Sequence, residues 1–419
     1  MHTPRKENLI SLEEAQSLIL QAVAPLDTEM LHLKDAGGRV LAKTVRSSRD
    51  EPALPQAAMD GYAVRSADVK PDFHESGTTL LVIGEICAGQ RGRLELKQGE
   101  AVRVMTGGTL PKGADAVVPQ EMTETVDRGI RLKRPVLAGD YLIPVGAEFH
   151  RGQDLLAVGT VLRVRELTML AALGCEMVSV RRQPEVAVIA TGTELVKVGE
   201  RLRPGHVFAS NLHTVSHLVK RCGGKVASLN TVGDELDLLT RAIQQGTDAD
   251  IIVTTGGTGR GKKDLVSAGV ANMGGDFCFR GVAMTPGKQT LFAKLGNTLF
   301  FCLPGRPPAT YIAFEQLVRP ALLSMLGISK VFLPEMTATL RRPIKRIGNI
   351  LSFNFCRLLF VSDKLQAESL ETTGMLTEMS ASNGLLKVAP HKEQLETGEQ
   401  VRVQLLDIGL EGLSYFEKL

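Results

Sequence analysis

The chain has 419 residues, of which 43% are hydrophobic and 23% are charged, and 49 basic and 46 acidic residues give a net charge of +3. This balance is typical of a globular protein with more than one core, and it excludes a strong overall field for nucleic acid or a membrane surface. The sequence shows no signal peptide and no apolar run of the roughly 18 residues that cross a membrane. We therefore expect a cytoplasmic protein without nucleic-acid or membrane partners.

The N-terminal part predicts two helices that flank a β-rich region. A helix of about fifteen residues begins after Ser11 and ends before Pro25, with Glu14 at the capping-box position. Residues 39–46 alternate like a strand, and short strands alternate with turns from about residue 64 to 145. Residues 164–173 predict a second helix, which we expect to pack on the first. The β-rich domain would then be an insertion.

From Glu185 onwards strands alternate with helices, which predicts a mostly parallel sheet in a three-layer αβα domain. Ligands of such sheets bind beyond the carboxyl ends of the strands. Glu194 and Asp234 fall at such ends, and Asp234 is also expected to cap the helix that follows it. After Pro334 the pattern returns to short strands, which predicts a C-terminal β-domain resembling a barrel.

The strand predicted at Ile251–Thr255 leads into a glycine-rich loop. Strand, glycine loop and helix start form an arrangement that aims backbone N–H groups at an anion, and Asp264 can cap the helix. The spacing from Gly256 to Lys262 approaches a Walker A loop, but position 263 is Lys where that motif needs Ser or Thr, which disfavours a P-loop NTPase. The proposed anion-binding residues of the loop are Gly256, Gly257, Thr258, Gly259 and Gly261.

Carboxylates at three strand ends predict a magnesium–phosphate site. Glu194, Asp234 and Asp264 are the candidate ligands, although each could simply cap a helix. Lys288 follows Pro286-Gly287, a rigid turn that would hold its ammonium group in place. His213 and His217 share a helix face as zinc ligands do, but no third ligand is evident in the sequence, and a solvated helix face is the favoured interpretation. The six scattered cysteines predict neither disulfides nor a zinc cluster.

These segments together resemble the molybdopterin molybdenumtransferases of the MoeA type, which complete molybdenum cofactor synthesis. The resemblance runs in family order over nearly the whole chain. The matching segments are Met59-Asp-Gly-Tyr-Ala63, Arg103-Val-Met-Thr-Gly107, Leu110-Pro-x-Gly-Ala-Asp115, Ala190-Thr-Gly-Thr-Glu-Leu195, Asp234, Gly256-Gly257 to Asp264, Pro286-Gly-Lys288, Leu303-Pro-Gly305 and Ala381-Ser-Asn-Gly384.

The resemblance implies four domains and a homodimer. The expected domains are a helical linker domain (1–50 with 146–182), an inserted β-rich domain (51–145), a molybdopterin-binding αβα domain (183–329) and a C-terminal β-domain (330–419). It also implies a reaction in which molybdate and adenylylated molybdopterin yield the metal-loaded dithiolene and AMP, assisted by Mg²⁺. A molybdopterin adenylyltransferase and apo-molybdoenzymes are possible partners.

The resemblance further implies a composite active site. Asp60 and Thr106, from the N-terminal half, would act beside residues 256–264 of the partner subunit. Asp60, Glu194, Asp234 and Asp264 are the candidate catalytic acids. Lys288, Pro304 and Gly305 would join the glycine loop in binding the cofactor.

Several positions depart from the family pattern. The changed positions are Tyr141–Ile143 with Glu148, the loop Thr254–Gly259, Thr285, Arg306 and Asn349. Three alternatives therefore stay open: a paralogue that binds or delivers molybdopterin without turnover, an enzyme specific for tungstate, and a pterin adenylyltransferase or nucleotide hydrolase.

Overall fold

The computed structural model describes residues 9–69, 77–90, 94–257, 264–345, 349–361, 364–370, 376–390 and 394–406. The chain divides into two compact units, one formed by Thr44–Ala157 and the other by Met1–Lys43 with Val158–Leu419. The helices are α1 (Leu12–Gln21), α2 (Val164–Ala172), α3 (Ser210–Arg221), α4 (Leu236–Gln245), α5 (Leu265–Asn272), α6 (Pro307–Ala313), α7 (Arg319–Met325) and α8 (Leu376–Ala381). Within these described ranges, no helix is long and apolar enough to cross a membrane.

The strands fall into three groups along the chain. Those before residue 182 are β1 (Thr28–His32), β2 (Val45–Arg46), β3 (Gln56–Ala57), β4 (Gly61–Val64), β5 (Thr78–Ile86), β6 (Glu100–Val104), β7 (Ala116–Pro119), β8 (Thr123–Val126), β9 (Gly129–Leu132), β10 (Leu142–Ile143), β11 (Asp154–Leu156) and β12 (Met177–Arg181). The middle group is β13 (Glu185–Thr191), β14 (Leu195–Val196), β15 (Val207–Phe208), β16 (Lys225–Val232), β17 (Ile251–Thr255), β18 (Asp276–Arg280), β19 (Met284–Thr285), β20 (Leu291–Leu295) and β21 (Thr298–Leu303). The last group is β22 (Glu335–Leu340), β23 (Ile344–Lys345), β24 (Leu351–Val361), β25 (Lys364–Ser369), β26 (Gly384–Val388), β27 (Gln394–Leu395) and β28 (Gln400–Leu405).

The unit Thr44–Ala157 is built on a six-stranded sheet in the order β7-β4-β6-β5-β9-β8, which confirms the predicted β-rich region. Successive residues of a strand point to opposite faces. Val64 and Ala101 accordingly enter one buried cluster, while Ala63 and Val102 enter another. The sheet is therefore buried on both faces.

The αβ region contains a six-stranded sheet in the order β16-β13-β17-β21-β20-β18. The first four strands run parallel, and β20 is antiparallel to both of its neighbours, so the predicted mostly parallel sheet is confirmed. Val186 and Val188 pack on one face with α3, α6 and α7, whereas Ala187 and Ile189 pack on the other with α4 and α5. This is the predicted three-layer arrangement, and it brings the carboxyl ends of four parallel strands to one edge.

The predicted packing of the second helix on the first was wrong. Leu12, Ala15 and Ile19 of α1 enter the main core of the αβ region, next to α7, while α2 packs near the 3₁₀ turn Leu33–Asp35. Helix α1 is also shorter than predicted and ends at Gln21. The chain leaves the helix there, and the Leu26 N–H donates to the Met325 carbonyl at 2.8 Å.

The prediction of a continuous strand at residues 39–46 was also wrong. Only Val45–Arg46 forms a strand there, and it pairs with β11. Val40 and Leu41 instead make single bridges to Val161 and Val180.

The C-terminal region forms a closed barrel of five strands. Strands β24, β25, β22, β28 and β26 pair in that order, and an additional pairing of β24 with β26 closes the ring. Closure removes unpaired sheet edges. The predicted barrel-like C-terminal domain is thus confirmed, while the four domain boundaries stay a prediction.

Candidate active site at the carboxyl end of the parallel sheet

A cavity of about 1030 Å³ opens where β16, β13, β17 and β21 end. Its walls include Thr191 after β13, Asp234 after β16, Gly256 after β17 and Gly305 after β21. Apolar side chains such as Leu202 and Phe208 also line it. A mixed polar and apolar cavity at this edge is the expected ligand site of such a sheet.

The backbone conformation and the close packing after β17 require glycine at positions 256 and 257. Gly256 has φ +88° and Gly257 φ +67°, both in the left-handed region. A Cβ on Gly256 would lie 2.5 Å from the Thr191 carbonyl oxygen, and one on Gly257 would lie 2.7 Å from a Val266 methyl group. The two glycines therefore let the backbone itself form the cavity wall. Thr258, Gly259 and Gly261 lie outside the described residues.

The loop after β21 is held by two side chains that sequence reasoning missed. Asn211 Nδ2 donates to the Gly305 carbonyl at 2.8 Å, and Thr310 Oγ1 donates to the Pro304 carbonyl at 2.6 Å. Asn211 is buried, lines the cavity and has no partner for its Oδ1 among the described residues. The only available signal was a polar residue at the start of a helix whose other face is apolar. Pro304 supports the loop through its carbonyl and is half-buried.

The cavity brings together two of the predicted acids. Asp234 accepts hydrogen bonds from Thr191 Oγ1 at 3.3 Å and from the Thr193 N–H at 3.4 Å. The prediction that Asp234 caps α4 was wrong, because the cap residue is Glu235 and Asp234 is held by the loop after β13 instead. Glu194 also lines the cavity, and its carboxylate folds over Gly192, where a Cβ would lie 2.7 Å from either oxygen.

The other two predicted groups of the αβ region do not line the cavity. Asp264 accepts from the Ser267 N–H at 3.1 Å and caps α5, as predicted, while the next residue, Leu265, lines the cavity. Lys288 is half-buried in the turn between β19 and β20.

Asp60 belongs to the other compact unit, where it ends a loop before β4. Its Oδ1 accepts from the Thr106 N–H at 2.8 Å and from Thr106 Oγ1 at 2.7 Å. These two bonds lower the pKa of Asp60, which is exposed. The adjacent Gly61 is required by packing, since a Cβ there would lie 2.1 Å from the Val118 carbonyl oxygen. Asp60 is therefore an ionised, exposed carboxylate on a rigid support.

The histidines on α3 do not form part of a metal site in the described part of the chain. His217 Nδ1 lies 2.8 Å from the His213 carbonyl oxygen, so a backbone contact already engages this ring nitrogen. Within the described ranges, no group of three or more His, Cys, Asp or Glu side chains is close enough to hold a metal ion. A magnesium ion at this site would have to take its remaining ligands from substrate or water.

The positions that depart from the family pattern are spread over both units. Arg306 lines the cavity, and Thr285 pairs with Ser352 in the barrel sheet. Tyr141 is exposed with φ +51°, and it precedes β10, which holds Leu142 and Ile143. Asn349 lies just before β24.

Three parts of the chain match known protein families. Residues 10–174 match the MoeA N-terminal region (domain I and II), residues 187–324 a probable molybdopterin binding domain, and residues 337–406 the MoeA C-terminal region (domain IV).

The chain is similar to curated proteins and solved structures over most of its length. It is 33% identical to a molybdopterin molybdenumtransferase of Nostoc sp. (80% of this chain, 79% of the relative) and 31% identical to that of Bacillus subtilis (96% and 95%). The molybdopterin biosynthesis moeA protein from Pyrococcus horikoshii superposes with a TM-score of 0.85 at 28% identity, covering 96% of this chain and 100% of the other. With the fold and three consecutive domain matches in agreement, the chain belongs to the MoeA family of molybdopterin molybdenumtransferases.

Proposed function

We propose that this chain transfers molybdenum from molybdate to the dithiolene of adenylylated molybdopterin, with release of AMP. The observation that carries the proposal is the cavity at the carboxyl end of the sheet, which is lined by the two glycines after β17, by two carboxylates and by an arginine. Such a site suits a substrate with a flat ring and an anionic group, since it offers apolar walls together with donors.

Hydrogen-bond donors and carboxylates would have different roles in this reaction. Backbone amides near Gly256 and Gly257, with Lys288 as a proposed further contact, would hold the oxyanion. Glu194 and Asp234 would accept protons from the dithiolene thiols and pass them to the molybdate oxygens that leave as water, and Asp60 and Asp264 are the further proposed acids. Each carboxylate can take part only where the bound substrate brings it into contact with the reacting groups.

Magnesium is a proposed cofactor, and the residues present fit it. Mg²⁺ is held in many proteins by one or two carboxylates together with phosphate oxygens and waters. Asp234 and Glu194 line the cavity with acceptor oxygens, whereas Asp264, the third ligand predicted from the sequence, caps α5 and does not line the cavity, so substrate and water would supply the remaining ligands. When bound, the ion would neutralise phosphate charge during the release of AMP.

We further propose a homodimer with composite active sites, in which Asp60 and Thr106 of one subunit face the αβ cavity of the other. A molybdopterin adenylyltransferase would supply the substrate in the cytoplasm, and apo-molybdoenzymes would receive the product. Asp60 suits this role because it is exposed, ionised and fixed by Thr106.

The experiment supplies purified protein with adenylylated molybdopterin, molybdate and Mg²⁺. We expect release of AMP and a product that activates an apo-molybdoenzyme. A folded dimer that gives neither result would reject the proposal.

The second candidate is a molybdopterin carrier without turnover, favoured by the presence of Arg306 in the cavity and Thr285 in place of the family's lysine. A carrier would bind molybdopterin in calorimetric titration and release no AMP. Consumption of ATP in the presence of molybdopterin would instead indicate an adenylyltransferase.

A further inference from the structure

The charged side chains that line the cavity are divided between its two sides. Asp234 and Glu194 follow β16 and β13, whereas Arg306 follows β21. Strand β17 and its two glycines lie between these groups in the sheet order. Among the described residues that line the cavity, Arg306 is the only arginine or lysine. Among the described lining residues, arginine and lysine charge is therefore found only on the β21 side.

The backbone that carries Arg306 is fixed at three consecutive carbonyl groups. The Pro304 carbonyl accepts from Thr310 Oγ1 at 2.6 Å, and the Gly305 carbonyl accepts from Asn211 Nδ2 at 2.8 Å. The Arg306 carbonyl accepts from the Thr310 N–H at 2.9 Å. This support fixes the origin of the arginine side chain, so that a ligand would order only its outer torsions.

The Arg306 guanidinium differs in its charged neighbours from two other arginines of the same unit. Other arginines of the same unit are neutralised, as Arg182 is by Asp250 at 2.6 Å and Arg221 is by the buried Glu315. In the part of the chain that the structure describes, Arg306 makes no such ion pair, and it is exposed at the cavity. An exposed guanidinium on a fixed loop is available to an anionic ligand.

We infer that Arg306 is an oxyanion-binding side chain of this cavity and that it binds a tetrahedral oxyanion. The inference rests on the proposed function, in which two such groups occur: the adenylate phosphate and molybdate. The planar fork of a guanidinium matches two oxygens of either group. The position of Arg306 also places the anion on the side of the cavity away from Asp234 and Glu194, where it avoids repulsion by the two carboxylates.

The test compares AMP with adenosine, which lacks only the phosphate, and adds molybdate as a second oxyanion. AMP, adenosine and molybdate are titrated by calorimetry into wild-type protein and into Arg306→Ala and Arg306→Lys. Arg203→Ala is the matched control, because Arg203 is exposed beside the cavity-lining Leu202 without lining the cavity itself. Circular dichroism establishes that each variant is folded.

We expect Arg306→Ala to lower the affinity for AMP or molybdate roughly tenfold and to leave the affinity for adenosine unchanged. Arg306→Lys should retain part of the lost affinity. Loss for AMP alone identifies the phosphate as the group bound, and loss for molybdate alone identifies the metal oxyanion. Equal losses for AMP and adenosine, unchanged affinities, an equal effect of Arg203→Ala, or no binding of AMP and molybdate to wild-type protein would overturn the inference.

The two claims fail separately. Suppose that wild-type protein releases AMP and that Arg306→Ala changes the affinities for AMP and adenosine equally. That result would reject the role of Arg306 and leave the transferase function in place. Binding that depends on Arg306 without any turnover would reject the transferase function alone.

Discussion

At the scale of single residues, the proposed catalytic acid Asp60 is held by hydrogen bonds from one neighbouring residue. Asp60 and Asp115, both in the unit Thr44–Ala157, accept the same pattern of hydrogen bonds. Each accepts a backbone N–H and a hydroxyl, Asp60 from Thr106 and Asp115 from Ser66. Asp60 is exposed, whereas Asp115 is half-buried. Because the two aspartates share this geometry and differ in exposure, comparing their variants separates the proposed chemical role of Asp60 from a role in holding a loop.

Substitution of Asp60 tests the chemical role. Asp60→Asn keeps an acceptor for Thr106 and removes only the charge, so we expect the fold to persist and the rate of AMP release to fall on the order of 10²-fold. Asp115→Asn is the control and should alter thermal stability with little change in rate. A wild-type rate for Asp60→Asn would reduce this acid to a structural group.

At the scale of elements, strand ends and helix caps position the site. Gly256 and Gly274 both have positive φ, at +88° and +74°. A Cβ would meet the Thr191 carbonyl oxygen at Gly256 and no atom within 4 Å at Gly274. Both positions carry the same kind of backbone strain, but only Gly256 lies against a second strand end. Comparing substitutions at the two positions therefore measures the effect of that close approach alone.

We expect Gly256→Ala to lower the free energy of unfolding by about 1–3 kcal/mol more than Gly274→Ala does, because only the first forces two backbone segments apart. Urea unfolding of both variants measures this difference. The affinity for molybdopterin should fall in Gly256→Ala and stay unchanged in Gly274→Ala. Equal destabilisation would show that the strand ends can separate freely.

The cap of α2 gives a prediction for acid stability. Arg163 Nη2 donates to Glu166 Oε1 at 2.7 Å, and its hydrogen bonds hold the pKa of Glu166 at about 2, below the ordinary 4.5. A lowered pKa in the folded state stabilises the protein above the unfolded value, and this contribution is lost as pH falls from about 4.5 towards 2. Glu166→Gln should therefore be less stable at neutral pH.

The measurement is urea unfolding of wild type and Glu166→Gln from neutral pH down to about pH 3. The difference between their unfolding free energies should narrow below about pH 4.5. A difference that stays constant with pH would mean that the Glu166 charge does not contribute to the cap.

At the scale of the whole molecule, the proposed dimer places acids from two subunits in one site. Asp60→Asn and Asp264→Asn should each be inactive alone, and Asn at 264 keeps a good cap for α5. Mixed heterodimers would hold one site with both wild-type acids. With free exchange, about half of the dimers and roughly a quarter of all sites are restored. No recovered activity, despite exchange seen by native mass spectrometry, would place the site within one chain.

The sequence predicted those parts of the molecule whose signals are local. The apolar run Ile251–Thr255 predicted β17, and the two glycines after it predicted a backbone-lined site. Asn211 was missed because its partner, Gly305, lies 94 residues away, and no local pattern reports that contact. The cap assigned to Asp234 failed for the same reason, since its partners Thr191 and Thr193 come from another strand end.

The most direct test of the proposed transferase counts two products of one reaction. Purified protein is supplied with adenylylated molybdopterin and Mg²⁺, with and without molybdate, while released AMP and pterin-bound molybdenum are measured together. We predict that AMP release requires molybdate and that one AMP appears for each molybdenum bound, since the proposed reaction couples the two events. AMP released at the same rate without molybdate, or no AMP despite tight pterin binding, would contradict the account.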